Sequence, residues 1–239
     1  MVMHPVCAFD WYCTYLANCC LQFFMMLMIL FVIEVQVKIF IIRHFESEAN
    51  VQHILAGRKD YPLSPRGAED AKNVASRFLR EYRPQIVYCS PLIRALQSTI
   101  PFVISKGTPI IVDERLVEHD IGVFAGRTYS DVESDPRYEN NRTKRWEWRP
   151  PLGETYEEIA ARVESFFSAL SVDGSDCLIV THAVTMRIIR GLLENTFPEY
   201  PEHIPKNGEM WEVDFRGVEN SHVIATHLFD DVDYRNNRV

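Results

Sequence analysis

The sequence has no excess of positive charge. Of its 239 residues, 25 are Lys or Arg and 33 are Asp or Glu, so the formal net charge is -8. Such a chain lacks the overall positive field that attracts nucleic-acid phosphates, and nucleic acid is not expected as a partner. The hydrophobic fraction of 47% excludes a disordered or fibrous chain and suffices for one large α/β domain or two small ones.

Cysteine is scarce beyond the first 20 residues. Only Cys89 and Cys177 occur there, each in or beside an apolar run, and no two cysteines have the CxxC spacing. The pattern favours buried free thiols over a disulfide framework and gives no sign of a zinc site. We therefore expect a reducing, cytoplasmic location for the main domain.

One long hydrophobic run stands near the amino terminus. Residues 16–33 read LANCCLQFFMMLMILFVI, which just meets the length that spans a bilayer. No Lys or Arg precedes the run and no small-residue cleavage pattern follows it, which disfavours a secretory signal. We divide the chain into this apolar segment, 1–34, and a main domain, 35–239, and expect membrane contact only through 16–33.

Four explanations of segment 1–34 stay open. They are a membrane anchor, which would make the protein membrane-bound, an extra packed helix, a cleaved signal, and a misassigned start codon. In the last case translation would begin at Met25, Met26 or Met28.

Beyond this segment, apolar strand-like runs alternate with amphipathic helical stretches. This order predicts an α/β fold with a mainly parallel central sheet and helices on both faces. The predicted strands are Val37–Ile42, Ile86–Cys89, Ile110–Val112, Cys177–Val180, Met210–Phe215 and His222–His227. The predicted helices are Pro65–Tyr82, Leu92–Ser105, Thr155–Leu170 and Ala183–Glu194.

One long interruption, Tyr129–Gly153, separates the third strand from the third helix and is rich in Arg, Trp and Pro. It is either an anion-attracting lid or a loop whose Trp146 and Trp148 pack over the core. The basic residues that a lid would use are Arg142, Lys144, Arg145 and Arg149.

Charged and imidazole side chains follow four of the predicted strands. Arg43 and His44 end the first strand, Arg94 comes one helical turn after the second, Glu118 follows the third, and His182 ends the fourth. Ligands gather at the carboxyl ends of parallel strands, so these side chains are expected to meet at one edge of the sheet.

The blocks around these residues resemble the histidine phosphatase superfamily, in the branch that contains cofactor-dependent phosphoglycerate mutase. In order along the chain they read RHFESEAN, DYPLSPRG, SPLIRALQST, LVEHDIGVFAG, PPLGETYEEIAARV and VTHAVTMRIIRGLL. The resemblance covers about residues 38–215 and implies a phosphoglycerate mutase-like fold. It also implies a histidine phosphatase or a related phosphohydrolase that acts on a small phosphorylated substrate.

The resemblance also implies roles for individual residues. His44 would be the nucleophile and Glu118 the acid, while Arg43, Arg94 and His182 would surround the phosphoryl group. Asn50 would add a hydrogen bond.

Physical chemistry agrees with these roles. Guanidinium groups stabilise the charge that spreads over a phosphoryl group in transfer, and positive neighbours keep an imidazole neutral and nucleophilic. A carboxyl group beside a phosphate is easily protonated and can then supply the leaving group with a proton. The scheme requires no metal and no cofactor.

Three further residues are weaker candidates for substrate or phosphate binding. Ser47 binds phosphate or caps the next turn. Gly57 faces the substrate or provides a turn conformation. Arg58 contacts the substrate or is a solvated charge. We assign no function to the remaining histidines, His53, His119, His203, His222 and His227.

The sequence departs from the family pattern at Phe45, where glycine is usual. A bulky side chain at this position is expected to reshape the phosphate loop or to narrow the pocket. Mutases of the family typically carry Trp at the position of Ala49 and a longer insertion than Tyr129–Gly153. Both differences favour a phosphatase over a mutase. Together with the roles above, they lead us to expect a metal-independent phosphate monoester hydrolase with a phosphohistidine at His44. A mutase and a non-catalytic module that binds a phospho-ligand remain as alternatives, and the oligomeric state is not predicted.

Overall fold

A six-stranded sheet forms the centre of the computed structural model, which describes residues 37–170, 175–199, 202–216 and 221–229. Its strands are β1 (Val37–Arg43), β3 (Ile86–Cys89), β4 (Ile110–Val112), β6 (Cys177–Thr181), β7 (Met210–Phe215) and β8 (His222–His227). They lie in the order β4-β3-β6-β1-β7-β8. The first four in this order are parallel, and β7 is antiparallel to both of its neighbours. All six predicted strands are confirmed.

Six α-helices connect the strands in the described part of the chain. They are α1 (Glu48–Val51), α2 (Pro65–Glu81), α3 (Ile93–Val103), α4 (Tyr129–Glu133), α5 (Tyr156–Ala169) and α6 (Ala183–Leu193). The four long ones were predicted. The sequence missed α1 and α4, and also a small sheet of β2 (Ile54–Leu55) and β5 (Arg127–Thr128), because elements of two to five residues are too short to show a hydrophobic period.

Alternate residues of β1 divide the core into two layers. Ile39 and Ile41 lie with α5 and α6 on one face, whereas Phe40 and Ile42 lie with α2 and α3 on the other. A strand with helices on both faces has no polar face, which explains its unbroken apolar sequence. The predicted α/β architecture is therefore confirmed.

Both cysteines of the main domain are free and buried, as predicted. Burial raises the pKa of the Cys89 and Cys177 thiols to about 12, so both remain protonated and unreactive at neutral pH.

No helix in the described part of the chain is long and apolar enough to cross a bilayer. The apolar run 16–33, and with it the predictions for segment 1–34, lies outside the described residues.

The two tryptophans of the predicted loop pack on aromatic neighbours. Trp148 contacts the rings of Phe124 and Tyr138, and the Trp146 ring lies 4.6 Å from that of Phe197. Two of the loop's basic residues are also engaged: Arg145 donates to Tyr138, and Arg149 forms an ion pair with Glu158. These contacts fit the packed loop rather than the anion-attracting lid.

Phe45 does not narrow the space next to His44. Its side chain is fully buried in the core layer of α2 and α3, and it packs against Gly208. A Cβ at Gly208 would lie 2.6 Å from Phe45 Cε1. The bulky residue is therefore accommodated by a glycine across from it, and the loop presents only the Phe45 backbone to the site.

The replacement Gly208→Ala tests this complementarity. Gly208 has φ +76° and no room for a methyl group, so we expect the free energy of unfolding to fall by about 2 kcal/mol or more in urea denaturation. Gly107→Ala is the matched control, because Gly107 has φ +64° and open space around its Cα. Equal losses in the two variants would mean that backbone conformation, and not the Phe45 contact, requires glycine at 208.

Candidate active site

The predicted site residues meet at the carboxyl ends of three neighbouring strands. β1 ends at Arg43 and leads into His44, β3 leads through Ser90 into α3 with Arg94, and β6 leads into His182. The connection after β4 adds Glu118. The pocket there is lined by Arg43, His44, Ser47, Asn50, Ile54, Leu55, Ala56, Gly57, Arg94, Glu118, His119, Ile121, Tyr129, Ala183 and Val184.

His44 is held by its backbone and by one ring nitrogen. Its amide donates to Thr181 of β6, and its Nδ1 lies 2.6 Å from the carbonyl oxygen of Phe45. A carbonyl can only accept, so Nδ1 carries the proton and the neutral ring keeps its lone pair on Nε2. The pKa of His44 is well below its usual value, chiefly because the ring is buried and then because Arg94 and Arg43 lie close. The sequence argument named only the second cause.

His182 lies behind this ring and does not line the pocket. It is fully buried, and its ring centroid is 5.2 Å from that of His44. Its Nε2 is 2.7 Å from the hydroxyl oxygen of the fully buried Ser90, whereas its buried Nδ1 has no partner among the described residues. Burial, followed by the charge of Arg94, lowers the pKa of His182 far below its usual value.

Two buried arginines provide the positive charge of the pocket. Arg43 donates to the carbonyl of Pro205, and its buried Nε has no partner among the described residues. Arg94 donates to the carbonyls of Gly57 and Lys59, and burial lowers its pKa to about 10, which leaves it charged at neutral pH. Neutral carbonyls hold both guanidinium groups without cancelling their charge, so the pocket suits an anion.

Glu118 is fixed by the first turn of α6. Its carboxylate accepts from the backbone amides of His119, Val184 and Thr185 and from the Thr185 hydroxyl, at 2.9 to 3.3 Å. A carboxylate at a helix amino terminus is stabilised by the unpaired amides there. These donors hold the one carboxylate among the described residues that line the pocket, beside the positive charges of Arg43 and Arg94.

The weaker candidates take different places. Ser47 caps α1, and its hydroxyl donates to the Asn50 side-chain oxygen, which keeps the Asn50 amide group as a donor at the pocket wall. Gly57 has φ +54°, and its carbonyl accepts from Arg94, so the turn conformation is its observed contribution. Arg58 does not line the pocket and is paired with Glu154 at 2.8 Å.

Sequence reasoning missed three residues at this site. Asn207 is buried in the segment before β7 and donates to the carbonyls of His44 and Phe45. His119 and Tyr129 line the pocket. A signal existed only for His119, which is adjacent to Glu118, since Asn207 and Tyr129 stand in no recognisable pattern.

A buried imidazole with a free lone pair, two guanidinium groups and a carboxylate lie around one small pocket, an arrangement that can accommodate a phosphoryl group. Residues 39–224 match the sequence profile of the histidine phosphatase superfamily (branch 1). The chain belongs to this superfamily. It is thus an enzyme that hydrolyses or transfers the phosphoryl groups of small phosphorylated substrates.

Relatives of both kinds are found. The chain is 30% identical over 174 residues to a 2,3-bisphosphoglycerate-dependent phosphoglycerate mutase of Cytophaga hutchinsonii, covering 69% of this chain and 80% of the mutase. It is 29% identical over 158 residues to phosphoserine phosphatase 1 of Hydrogenobacter thermophilus, covering 63% and 73% of the two chains. The alpha-ribazole phosphatase of Shigella flexneri shares the fold, with a TM-score of 0.67, 24% identity and coverage of 78% and 94%.

Proposed function

We propose that the protein is a metal-independent phosphate monoester hydrolase that works through a phosphohistidine on His44. The proposal rests on one observation above all: the bond from His44 Nδ1 to the Phe45 carbonyl leaves the Nε2 lone pair free in a pocket that contains two buried arginines. Arg43 and Arg94 supply the positive charge that a metal ion provides in other phosphatases. All described site residues belong to the proposed catalytic domain, 35–239.

In the first step, Nε2 of neutral His44 attacks the phosphorus atom and the bond to the ester oxygen breaks. The ring then carries positive charge, which the Phe45 carbonyl stabilises through the Nδ1 proton. The arginines neutralise the equatorial oxygens. The acid form of the Glu118 side chain gives its proton to the departing oxygen.

In the second step, a water molecule replaces the departed alcohol. The Glu118 carboxylate takes a proton from this water as its oxygen attacks phosphorus, and the N–P bond breaks. The electron pair returns to Nε2 and inorganic phosphate leaves. Glu118 is again protonated, so both residues are restored for the next turnover.

Two sequence features favour water over a second phosphorylated acceptor. Ala49, where mutases of the family typically carry Trp, is buried in α1 beside the pocket residues Ser47 and Asn50. The Tyr129–Gly153 segment is short for a mutase and packs on the core through its tryptophans. Both support hydrolysis, while the mutase relative keeps phosphoryl transfer as the second candidate.

The first test measures hydrolysis of 4-nitrophenyl phosphate by the full-length chain in the presence of EDTA. In the second, the protein reacts with an ester labelled with phosphorus-32 and is quenched rapidly in acid or in alkali, so that the stability of protein-bound phosphate can be compared. We expect turnover that EDTA does not change and a protein-bound phosphate that is labile in acid and stable in alkali. Loss of turnover in EDTA from folded protein would contradict metal independence. Exchange between phosphoglycerates that needs a bisphosphoglycerate primer would indicate a mutase instead.

Ser90 is expected to act as a positioning residue for His182. Its hydroxyl accepts from the Leu92 amide at 3.4 Å, so it can donate to His182 Nε2 and place the imidazole proton on the unpartnered Nδ1. In Ser90→Ala we expect kcat to fall about 10- to 100-fold, the effect of leaving one buried polar group unpaired.

Imidazole nitrogen-15 chemical shifts separate this role from a loss of packing, since we expect the His182 tautomer to change in Ser90→Ala and to return in Ser90→Thr. The matched control is Ser165→Ala, which removes a hydroxyl from α5, outside the pocket. An unchanged His182 tautomer with a reduced rate would assign Ser90 to packing alone.

A further inference from the structure

The walls of the pocket differ in character from its floor. The floor has Arg43, His44 and Arg94, which are nearly inaccessible to solvent. Of the seven half-buried residues that line the pocket in the described part of the chain, four are aliphatic and come from β2, the turn after it and the first turn of α6. They are Ile54, Leu55, Ala56 and Val184, and we call the part of the pocket that they line its mouth. The other three are Asn50, Glu118 and Tyr129.

We propose that this site takes phosphate monoesters whose organic part is apolar and carries no second anionic group. The inference rests on the proposed function and adds a substrate class to it. Three observations carry it: the size of the pocket, the position of the nearby charges, and the apolar mouth.

The pocket has room for the phosphoryl group and little more. Its volume is about 60 Å³. Because one water molecule occupies roughly 10–15 Å³ on the same measure, the pocket holds only a few water molecules. A phosphoryl group bound by Arg43 and Arg94 fills that space. The organic part of the ester must then lie at the mouth, against the side chains of β2 and of Val184.

The mouth offers no cation to a second anion. Within the described ranges, Arg43 and Arg94 are the only basic side chains that line the pocket apart from its histidines. Arg58 lies outside it, where Glu154 at 2.8 Å and Asp120 at 3.9 Å neutralise its charge.

A second anionic group on the substrate would also lose its hydration. At this aliphatic surface a carboxylate or a second phosphate would exchange water for side chains that carry no compensating positive charge, so its binding is disfavoured.

An apolar organic part, in contrast, gains binding free energy when it leaves water for this aliphatic surface. Each methylene group that leaves water for an aliphatic surface improves binding by roughly fourfold. Ile54 and Leu55 are held in place because β2 pairs with β5, so the aliphatic wall is formed before substrate arrives. This wall is the feature that selects for an apolar organic part.

The test compares phenyl phosphate with 3-carboxyphenyl phosphate, since a carboxylate in the meta position adds a charge and hardly changes the acidity of the phenol. We expect kcat/KM of the full-length protein to be at least about tenfold higher for phenyl phosphate. Equal values, or a preference for the carboxylated ester, would overturn the inference.

A positive charge introduced at the mouth provides the second part of the test. Ile54→Lys is expected to reduce the preference for phenyl phosphate by about tenfold, because the ammonium group can pair with the meta carboxylate. The control is Val51→Lys, which adds the same charge at an exposed position of α1 that does not line the pocket. An identical change in both variants would show that net charge, and not the mouth, determines the preference.

The outcomes separate this inference from the proposed function. Acid-labile phosphoenzyme and EDTA-resistant turnover together with a preference for the carboxylated ester would leave the hydrolase intact and refute only the substrate class. Absence of phosphoenzyme with either ester would refute both.

Discussion

Replacing His44 with alanine is expected to lower the rate of phosphate-ester hydrolysis by about 10⁴-fold or more, the magnitude that the loss of a covalent nucleophile causes. This loss is expected because His44 provides the attacking lone pair. The Phe45 carbonyl holds Nδ1, so the lone pair on Nε2 is free in the pocket. The measurement is steady-state turnover of an aryl phosphate in EDTA, followed by quantification of protein-bound phosphate, which should vanish.

The matched control is His222→Ala, because this histidine is exposed on β8 at the edge of the sheet. We expect wild-type turnover from it. Thermal unfolding of both variants checks that the domain remains folded. Residual hydrolysis within tenfold of the wild type in a folded His44→Ala protein would place the nucleophile elsewhere and remove the basis of the proposed mechanism.

Replacing Arg94 with methionine has the second largest expected effect. The guanidinium is buried, held by the Gly57 and Lys59 carbonyls, and directed to the pocket, so its loss removes a preorganised donor for the transferring oxygens. Removal of one such donor lowers kcat by about 10²- to 10³-fold. Arg83→Met, at an exposed position between α2 and β3, is the control and should retain wild-type activity.

The same variant should change the titration of His44. Arg94 is the largest electrostatic cause of the low pKa of His44, after burial. A positive neighbour disfavours the protonated ring, so removing the charge must raise the pKa. In nitrogen-15 NMR, the wild-type ring is expected to stay neutral below pH 6.5 and the Arg94→Met ring to protonate at higher pH than the wild type. An unchanged titration would mean that burial and Arg43 are sufficient to keep the nucleophile neutral.

The fold and the centre of the site were predictable because both depend on patterns of local sequence. A run such as KIFIIRH predicts a buried strand that is followed by two polar side chains suited to a functional site. Parallel strands then bring the residues at their carboxyl ends together. The same reasoning located Arg94, Glu118 and His182, since each follows an apolar run. Their roles remain predictions for the experiments above.

Other features depend on contacts between distant segments, which sequence patterns do not encode. The partners Phe45 and Gly208 are separated by most of the domain, so only the structure shows how the bulky residue is accommodated. Asn207 binds the carbonyl of His44 from the segment before β7 for the same reason. Arg58 looked available as a substrate contact because its partner, Glu154, is nearly 100 residues away.

The order of strands in the sheet has a consequence for synthesis of the protein. β1 is made first, yet its two neighbours are β6 and β7, which end at Thr181 and Phe215. This largely buried strand must therefore wait for both of its partners while about 170 further residues leave the ribosome. During that interval its unpaired edges are open to other chains, so the strand that leads into the proposed nucleophile is exposed to aggregation until β7 has been made.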